Sequence, residues 1–286
     1  MSPPGGPAHL STAARAALEH VTARSRGAPL RGPERVCLHF HPDRPFGAVP
    51  ILVSLASDGV YRSQFETGIS NGGLTAHPGG DRWRWESRMF GGAYDRAPDA
   101  ERPKYGALDF RGAQGIPSVH IGPAPRFGSS HLRLRAHVLE RTTFCYPDSV
   151  FEPEDFGVAG RMALRPGGLP DPLDDYVEAH VHGPLRIDRD VEALVLDPCY
   201  RGTEVERQAD RLGCAVEWHG GFRLSAAELR AHPDYRGERI VQVGLEVAVD
   251  GRLDPRIIGD AARTGRYDRQ DLKKVWHCLA RYGAES

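Results

Sequence analysis

The residues able to do chemistry gather in a few short stretches. In CLHFHPDR, Cys37 to Arg44, His39 and His41 stand two apart and run into Pro42, Asp43 and Arg44. A second pair, His180 and His182, lies in DYVEAHVHG with Glu178 two residues ahead of it. Residues two apart on a strand share a face, so each stretch can present its imidazoles to one place. Four imidazoles with Asp43 would suit zinc or iron, and that set would make a metal-dependent hydrolase. The plainer reading of either pair is a buried imidazole bonded to backbone.

Common signatures are missing. No Gly-x-Gly-x-x-Gly follows a strand, and there is no phosphate-cradling P-loop. GISNG, Gly68 to Gly72, fits the nucleophile elbow around Ser70, but the GLTAHPGGD that follows cannot form the helix an elbow requires. Strand and helix do not alternate eight times, which excludes the barrel of the amidohydrolases. The five cysteines (Cys37, Cys145, Cys199, Cys214, Cys278) are scattered and free of any Cys-x-x-Cys pair. That pattern argues against a disulfide framework or structural zinc, and for a reducing compartment.

The elements that must position these residues follow from patterning. STAARAALEHVTARSRG predicts a helix opened by Ser11 and stopped at Gly27. RVCLHFH and VPILVSLASDG predict strands, with PDRPFGA as the turn between them. The polar, glycine-rich YRSQFETGISNGGLTAHPGGDR is a long connection, and long connections are functional suspects. RWRWESRMFGGAYD predicts a helix ended by Gly91 and Gly92, and PRFGSSHLRLRAHVLERTTFCYPDS predicts two strands. YVEAHVHG and DVEALVLDP read as a strand pair, and from Tyr200 onward the pattern is mainly helical.

Composition bounds the rest. The 286 residues are 40 % hydrophobic and 26 % charged, with formal net charge −1, so neither a membrane span nor a nucleic-acid surface is expected. Thirty-three glycines and 23 prolines imply a loop-rich architecture. MSPPGGPAHL lacks the basic region and apolar core of a signal peptide. The protein is therefore expected in the cytoplasm of its producer, or in a target-cell cytosol reached by another route.

Four stretches in order, CLHFHPDR, KYGALDF, PRFGSSHLRL and DYVEAHVHG, resemble the site strands of an ADP-ribosyltransferase. That fold uses a His or Arg on its first strand, a Ser or Tyr in the middle and a glutamate near the end. Residues 33–283, including ISNGGLTAHPGGDRWRWESRMFGGAYD and DGRLDPRIIGDAARTGRYD, resemble a bacterial family of effectors, toxin-like enzymes that attach ADP-ribose to a threonine of host ubiquitin. The resemblance implies an α+β fold: split antiparallel sheets around an NAD cleft, with a helix-rich C-terminal portion. It implies a tail and helix over 1–30, the core over 31–200, and a partner-targeting portion over 201–286. The loops around Asn71 and Pro170 would help recognise the partner, and the protein would be a monomer.

The same resemblance assigns roles. NAD, as substrate, would meet His39, His41, Arg44, Ser63, Thr67, Tyr105, Ser129 and Ser130, with a histidine on the adenosine ribose and Arg44 near the pyrophosphate. Glu178 would face the oxocarbenium-like sugar, since nicotinamide leaves neutral and needs no general acid. The triplet Glu178-Ala179-His180, in place of the Glu-x-Glu of arginine-modifying toxins, fits a hydroxyl acceptor. Such a hydroxyl benefits from a base; Asp43 is the first candidate and Asp148 the second. Either aspartate could instead be an ordinary turn residue.

Overall fold

A computed structural model describes residues 10–68, 76–110 and 120–284. The protein is α+β, with a mostly antiparallel sheet and several helices. Twelve strands are present among the described residues: β1 (Arg35–Phe40), β2 (Pro45–Phe46), β3 (Val49–Pro50), β4 (Lys104–Asp109), β5 (Ser130–Leu134), β6 (Thr142–Tyr146), β7 (Asp155–Val158), β8 (Glu178–Val181), β9 (Val191–Leu196), β10 (Ala215–Trp218), β11 (Leu224–Ser225) and β12 (Arg252–Leu253). Eight of them form one sheet in the order β10-β9-β5-β1-β4-β8-β6-β7, antiparallel except for β10 on β9.

This sheet forks. β1 pairs with β4 only from Arg35↔Asp109 to Cys37↔Ala107. Beyond that point β1 continues along β5 to Phe40↔Ser130, while β4 continues along β8 to Lys104↔Val181. Two four-stranded halves thus share a hinge of three residue pairs and open into a cleft. Gly106 sits just above the hinge, where a Cβ would run into the Cys37 carbonyl. Two separate sheets were expected; the halves are joined at the base because β1 bonds to a neighbour on each side.

Alternation sorts the side chains onto two faces. Val36, Leu38, Leu132, Leu134, Phe144, Ala179, Val181, Leu194 and Leu196 enter the main apolar core. Each large apolar side chain buried there contributes about 1.5–3 kcal/mol. The opposite face carries Cys37, His39, Tyr105, Glu178, His180, Thr143, Cys145, His131 and Arg133. Over β6 and β7 that face is covered by helix Thr12–Arg24, capped by Ser11 as its sequence predicts, with Ala17, Val21, Met89, Phe90, Tyr94 and Phe156 forming a small core.

Three expectations need correcting. Ile51–Asp58 is a helix, not a strand. Its apolar run is too short for periodicity to decide, and Pro50 at the N-cap with Gly59 at φ 64° fixes the outcome. β8 and β9 are both strands but do not pair: the crossover through helix Ile187–Asp190 delivers β9 to β5, in the other half of the sheet. Nor does the sheet stop near residue 200, because β10 extends it to Trp218.

The remaining C-terminal helices, among them Glu238–Val247, Pro255–Arg263 and Arg269–Tyr282, surround a second core built on Trp276 and Leu279. Trp276 Nε1 donates to the carbonyls of Pro125 and Arg126, at 3.1 and 3.0 Å. The segment over the fork is thereby tied to the last helix.

Candidate functional site

The fork opens into a cleft that is continuous with solvent. β1 contributes Cys37 and His39, β4 contributes Tyr105 and Ala107, and β8 contributes Glu178. Gln64, Arg82, Trp85, Arg126, Asp148, Ser149 and Tyr176 complete the wall. Cys37, Ala107, Glu178 and Cys145 lie in one cross-strand row over β1, β4, β8 and β6, which fixes where the carboxylate enters.

Glu178 is 5 % exposed. Its Oε1 accepts from His180 Nε2 at 2.9 Å, and the Cys145 thiol lies 3.8 Å away. Burial pushes this carboxyl upward. The bond from His180, together with Arg82 and Ser149, outweighs that push and holds the group below the usual glutamate range. Arg82 donates to the Ser149 hydroxyl at 3.0 Å and lies 4.1 Å over the Tyr105 ring.

Asp148 is the second carboxylate of the cleft. It accepts from the Tyr176 hydroxyl and, at 2.8 Å, from the Val150 N–H, the latter as the cap of a short turn. Burial and the nearby Glu178 charge raise its pKa against those two bonds. Two carboxyls whose surroundings push them in opposite directions are the arrangement that separates electrostatic and proton-transfer roles.

A second cavity adjoins the first, and the two share Tyr61, Gln64 and Tyr105. It is lined by Phe40, His41, Arg44, Ile51, Leu55, Thr67, Lys104 and Arg269, among others. Apolar and cationic walls alternate there. The two cavities meet at a waist around Tyr61 and Tyr105.

Of the residues singled out from sequence, His39, Tyr105, Asp148 and Glu178 meet in the first cleft, and His41, Arg44, Thr67 and Tyr105 in the second. The others lie elsewhere. Asp43 packs on Gly259, where a side chain would displace it, with Arg263 Nη1 3.7 Å from its Oδ2. Burial raises its pKa despite Arg263 and Arg44. Ser63 caps helix Gln64–Thr67 and donates to the Asp99 carbonyl at 2.7 Å. Ser129 lies beside the Tyr200 hydroxyl at 3.4 Å, and Ser130 accepts from Asp197 N–H at 3.4 Å. All three serines do structural work. Ser70 and Asn71 lie outside the described residues, and Pro170 is exposed.

The two His-x-His pairs do not assemble into a metal site. One His39 ring nitrogen, Nδ1, donates to the Gly128 carbonyl at 3.2 Å, and Nε2 accepts from Ala124 N–H at 3.3 Å. His41 meets Trp276 edge-on at 4.8 Å. His180 and His182 sit on β8 and just beyond it, with ring nitrogens bonded to Glu178, Thr143 and Tyr94. Among the described residues, the group with metal-ligand spacing is Cys145, Glu178 and His180, all within 4.8 Å of one another. Burial and the Glu178 charge push its thiol well up.

Sequence reasoning missed Arg82, Ser149, Tyr176, Glu86 and Trp85. Arg82 and Glu86 are buried on a helix, Asp81–Met89, whose charged residues read as a solvated face. The helical spacing of Arg82 and Glu86 was the available signal.

The chain belongs to a family described as protein of unknown function (DUF3626), which it matches over residues 35–164 and 168–282. Among curated proteins none matches it. No helix among the described residues is long and apolar enough to cross a membrane.

Proposed function

We propose that the protein is an NAD-dependent mono-ADP-ribosyltransferase acting on a protein hydroxyl, with a threonine of ubiquitin as the acceptor. The observation that carries this reading is the forked sheet. Its first strand brings His39, the adjoining strand Tyr105 and the next one Glu178 to a single cleft, and that cleft continues past Tyr105 into a second, cationic chamber. This is the arrangement of residue types that the resemblance implies, found on neighbouring strands drawn from distant parts of the chain.

Nicotinamide and its ribose then occupy the chamber of Glu178, and the adenosine half lies beside His41 and Arg44. The bond from C1′ to the nicotinamide nitrogen breaks and its electron pair leaves with neutral nicotinamide. Glu178, already ionised, faces the positive sugar. The acceptor oxygen attacks C1′, and its proton passes to Asp148, whose raised pKa makes it the better base of the two. Asp148 replaces Asp43 in this role because it shares the cleft with Glu178.

Incubation with NAD and ubiquitin tests the proposal. The expected result is nicotinamide release and a ubiquitin mass increased by one ADP-ribose, both unchanged by a chelator. A folded protein that releases no nicotinamide is a binding module, and the proposal falls. Activity abolished by chelator and restored by zinc favours a metal at Cys145, Glu178 and His180, the second reading.

A further inference from the structure

We propose that Tyr94, His182, Thr143 and His180 form a one-way chain of hydrogen bonds that ends on Glu178 and holds that carboxylate in its reacting orientation. The inference rests on the reading of Glu178 given above. The four links measure 2.6 Å from Tyr94 Oη to His182 Nδ1, 2.9 Å from His182 Nε2 to Thr143 Oγ1, 3.3 Å from Thr143 Oγ1 to His180 Nδ1, and 2.9 Å from His180 Nε2 to Glu178 Oε1. All five residues are buried.

The direction follows from counting protons. Tyr94 is fully buried, and His182 Nδ1 is the partner its hydroxyl has, so Tyr94 donates and Nδ1 accepts. His182, neutral with an accepting Nδ1, carries its proton on Nε2 and donates to Thr143. The Thr143 hydroxyl has then accepted once, and its own proton points to His180 Nδ1. That leaves His180 with Nε2–H, which donates to the carboxylate. The reverse polarity would strand the tyrosine proton in a dry core with no acceptor.

Each member therefore polarises the next toward the charge, and such chains strengthen cooperatively in a low-dielectric interior. Phe90 packs edge-on against Tyr94, His180 and His182 at 5.6, 5.3 and 5.3 Å, which keeps water out and the rings in place. At its far end the Tyr94 carbonyl accepts from Arg102 at 3.0 Å, and Arg102 is ion-paired to Glu86 at 2.6 Å. Glu86 in turn accepts from the Tyr105 hydroxyl at 2.8 Å. Both ends of the network thus reach the cleft on the β4 side of the fork, at Glu178 and at Tyr105. These are positioning residues; Glu178 alone among them touches the reacting sugar.

The test combines nitrogen-15 spectra of the histidine side chains with steady-state kinetics. Both His180 and His182 should carry a proton on Nε2, with Nδ1 accepting. In Tyr94→Phe the His180 resonances should shift although that ring touches no tyrosine hydroxyl. Thr143→Val should lower kcat for nicotinamide release by about tenfold, equivalent to about 1.4 kcal/mol, with KM for NAD unchanged. Thr143→Ser, which keeps the hydroxyl, should restore the rate. A proton on Nδ1 of either ring, or a Thr143→Val enzyme of normal kcat, overturns the proposal. The spectra judge the chain even if wild type releases no nicotinamide, the result that would sink the enzymatic reading by itself.

Discussion

His39/His41 and His180/His182 have the same spacing and both mark the end of a strand, yet the fold uses them differently. The first pair faces loops and a helix from elsewhere in the chain. His39 pins the backbone at Ala124 and Gly128, and Gly122 must lack a side chain to pass its ring. His41 lies against Trp276, its pKa lowered well below the usual value by burial and then by Arg44. The second pair faces a hydroxyl-bearing strand, where Thr143 and Cys145 stand opposite His180 and Glu178. Spacing puts two imidazoles on one face. What lies across the strand gives them their task.

The largest effect tests the end point of the second pair. Glu178→Ala should lower both nicotinamide release and transfer by about 10²–10³ or more, with the fold intact, because it removes the charge facing the sugar. Near-normal turnover in a folded variant would leave the second pair with nothing to position. Next, Asp148→Asn should lower transfer by about 10²–10⁴ while sparing much of the slow hydrolysis of NAD, whereas Asp43→Asn should leave both reactions in place. Selective loss of transfer in Asp43→Asn would return the base to the β1 side.

The smallest effect separates the pairs directly. His180→Ala should move the acid limb of kcat upward in pH, since the bond holding Glu178 below its usual range is lost while Arg82, Ser149, Cys145 and Asp148 still face it. The sign is fixed: a depressed carboxyl stabilises the fold while ionised and loses that contribution as pH falls through its folded value. His39→Ala should leave the limb where it is and cost about 1–3 kcal/mol in denaturant unfolding, from two backbone groups left unmet. Identical pH profiles for the two variants would erase the distinction.

Much of this was legible beforehand. β1, β5, β6, β8 and β9 fall in stretches that the pattern marks as strands, whereas the resemblance alone points to KYGALDF and Tyr105, as it does to the role of Glu178. Adjacency was not legible. Thr143 meets His182 across 39 residues, and Arg82 meets Ser149 across 67. A strand declares its faces in its own sequence but not its neighbours, so β8 looked like the partner of β9 when it lies between β4 and β6. The place of Asp43 outside the cleft was illegible for the same reason: nothing local to Pro42-Asp43-Arg44 foretells the helix bearing Gly259 and Arg263.

The bonds from Trp276 to Pro125 and Arg126 bear on when the protein becomes competent. Helix Arg269–Tyr282 leaves the ribosome after every other described element, while the strands of the fork are made well before it. Domains generally fold as units during synthesis, so the wall of the cleft at Pro125 and Arg126 gains its brace only when the last helix is present. An unfinished chain would own its acidic residue and its histidines but no settled cavity to use them in. A nascent chain would thus gain its settled cleft only once translation had passed residue 276.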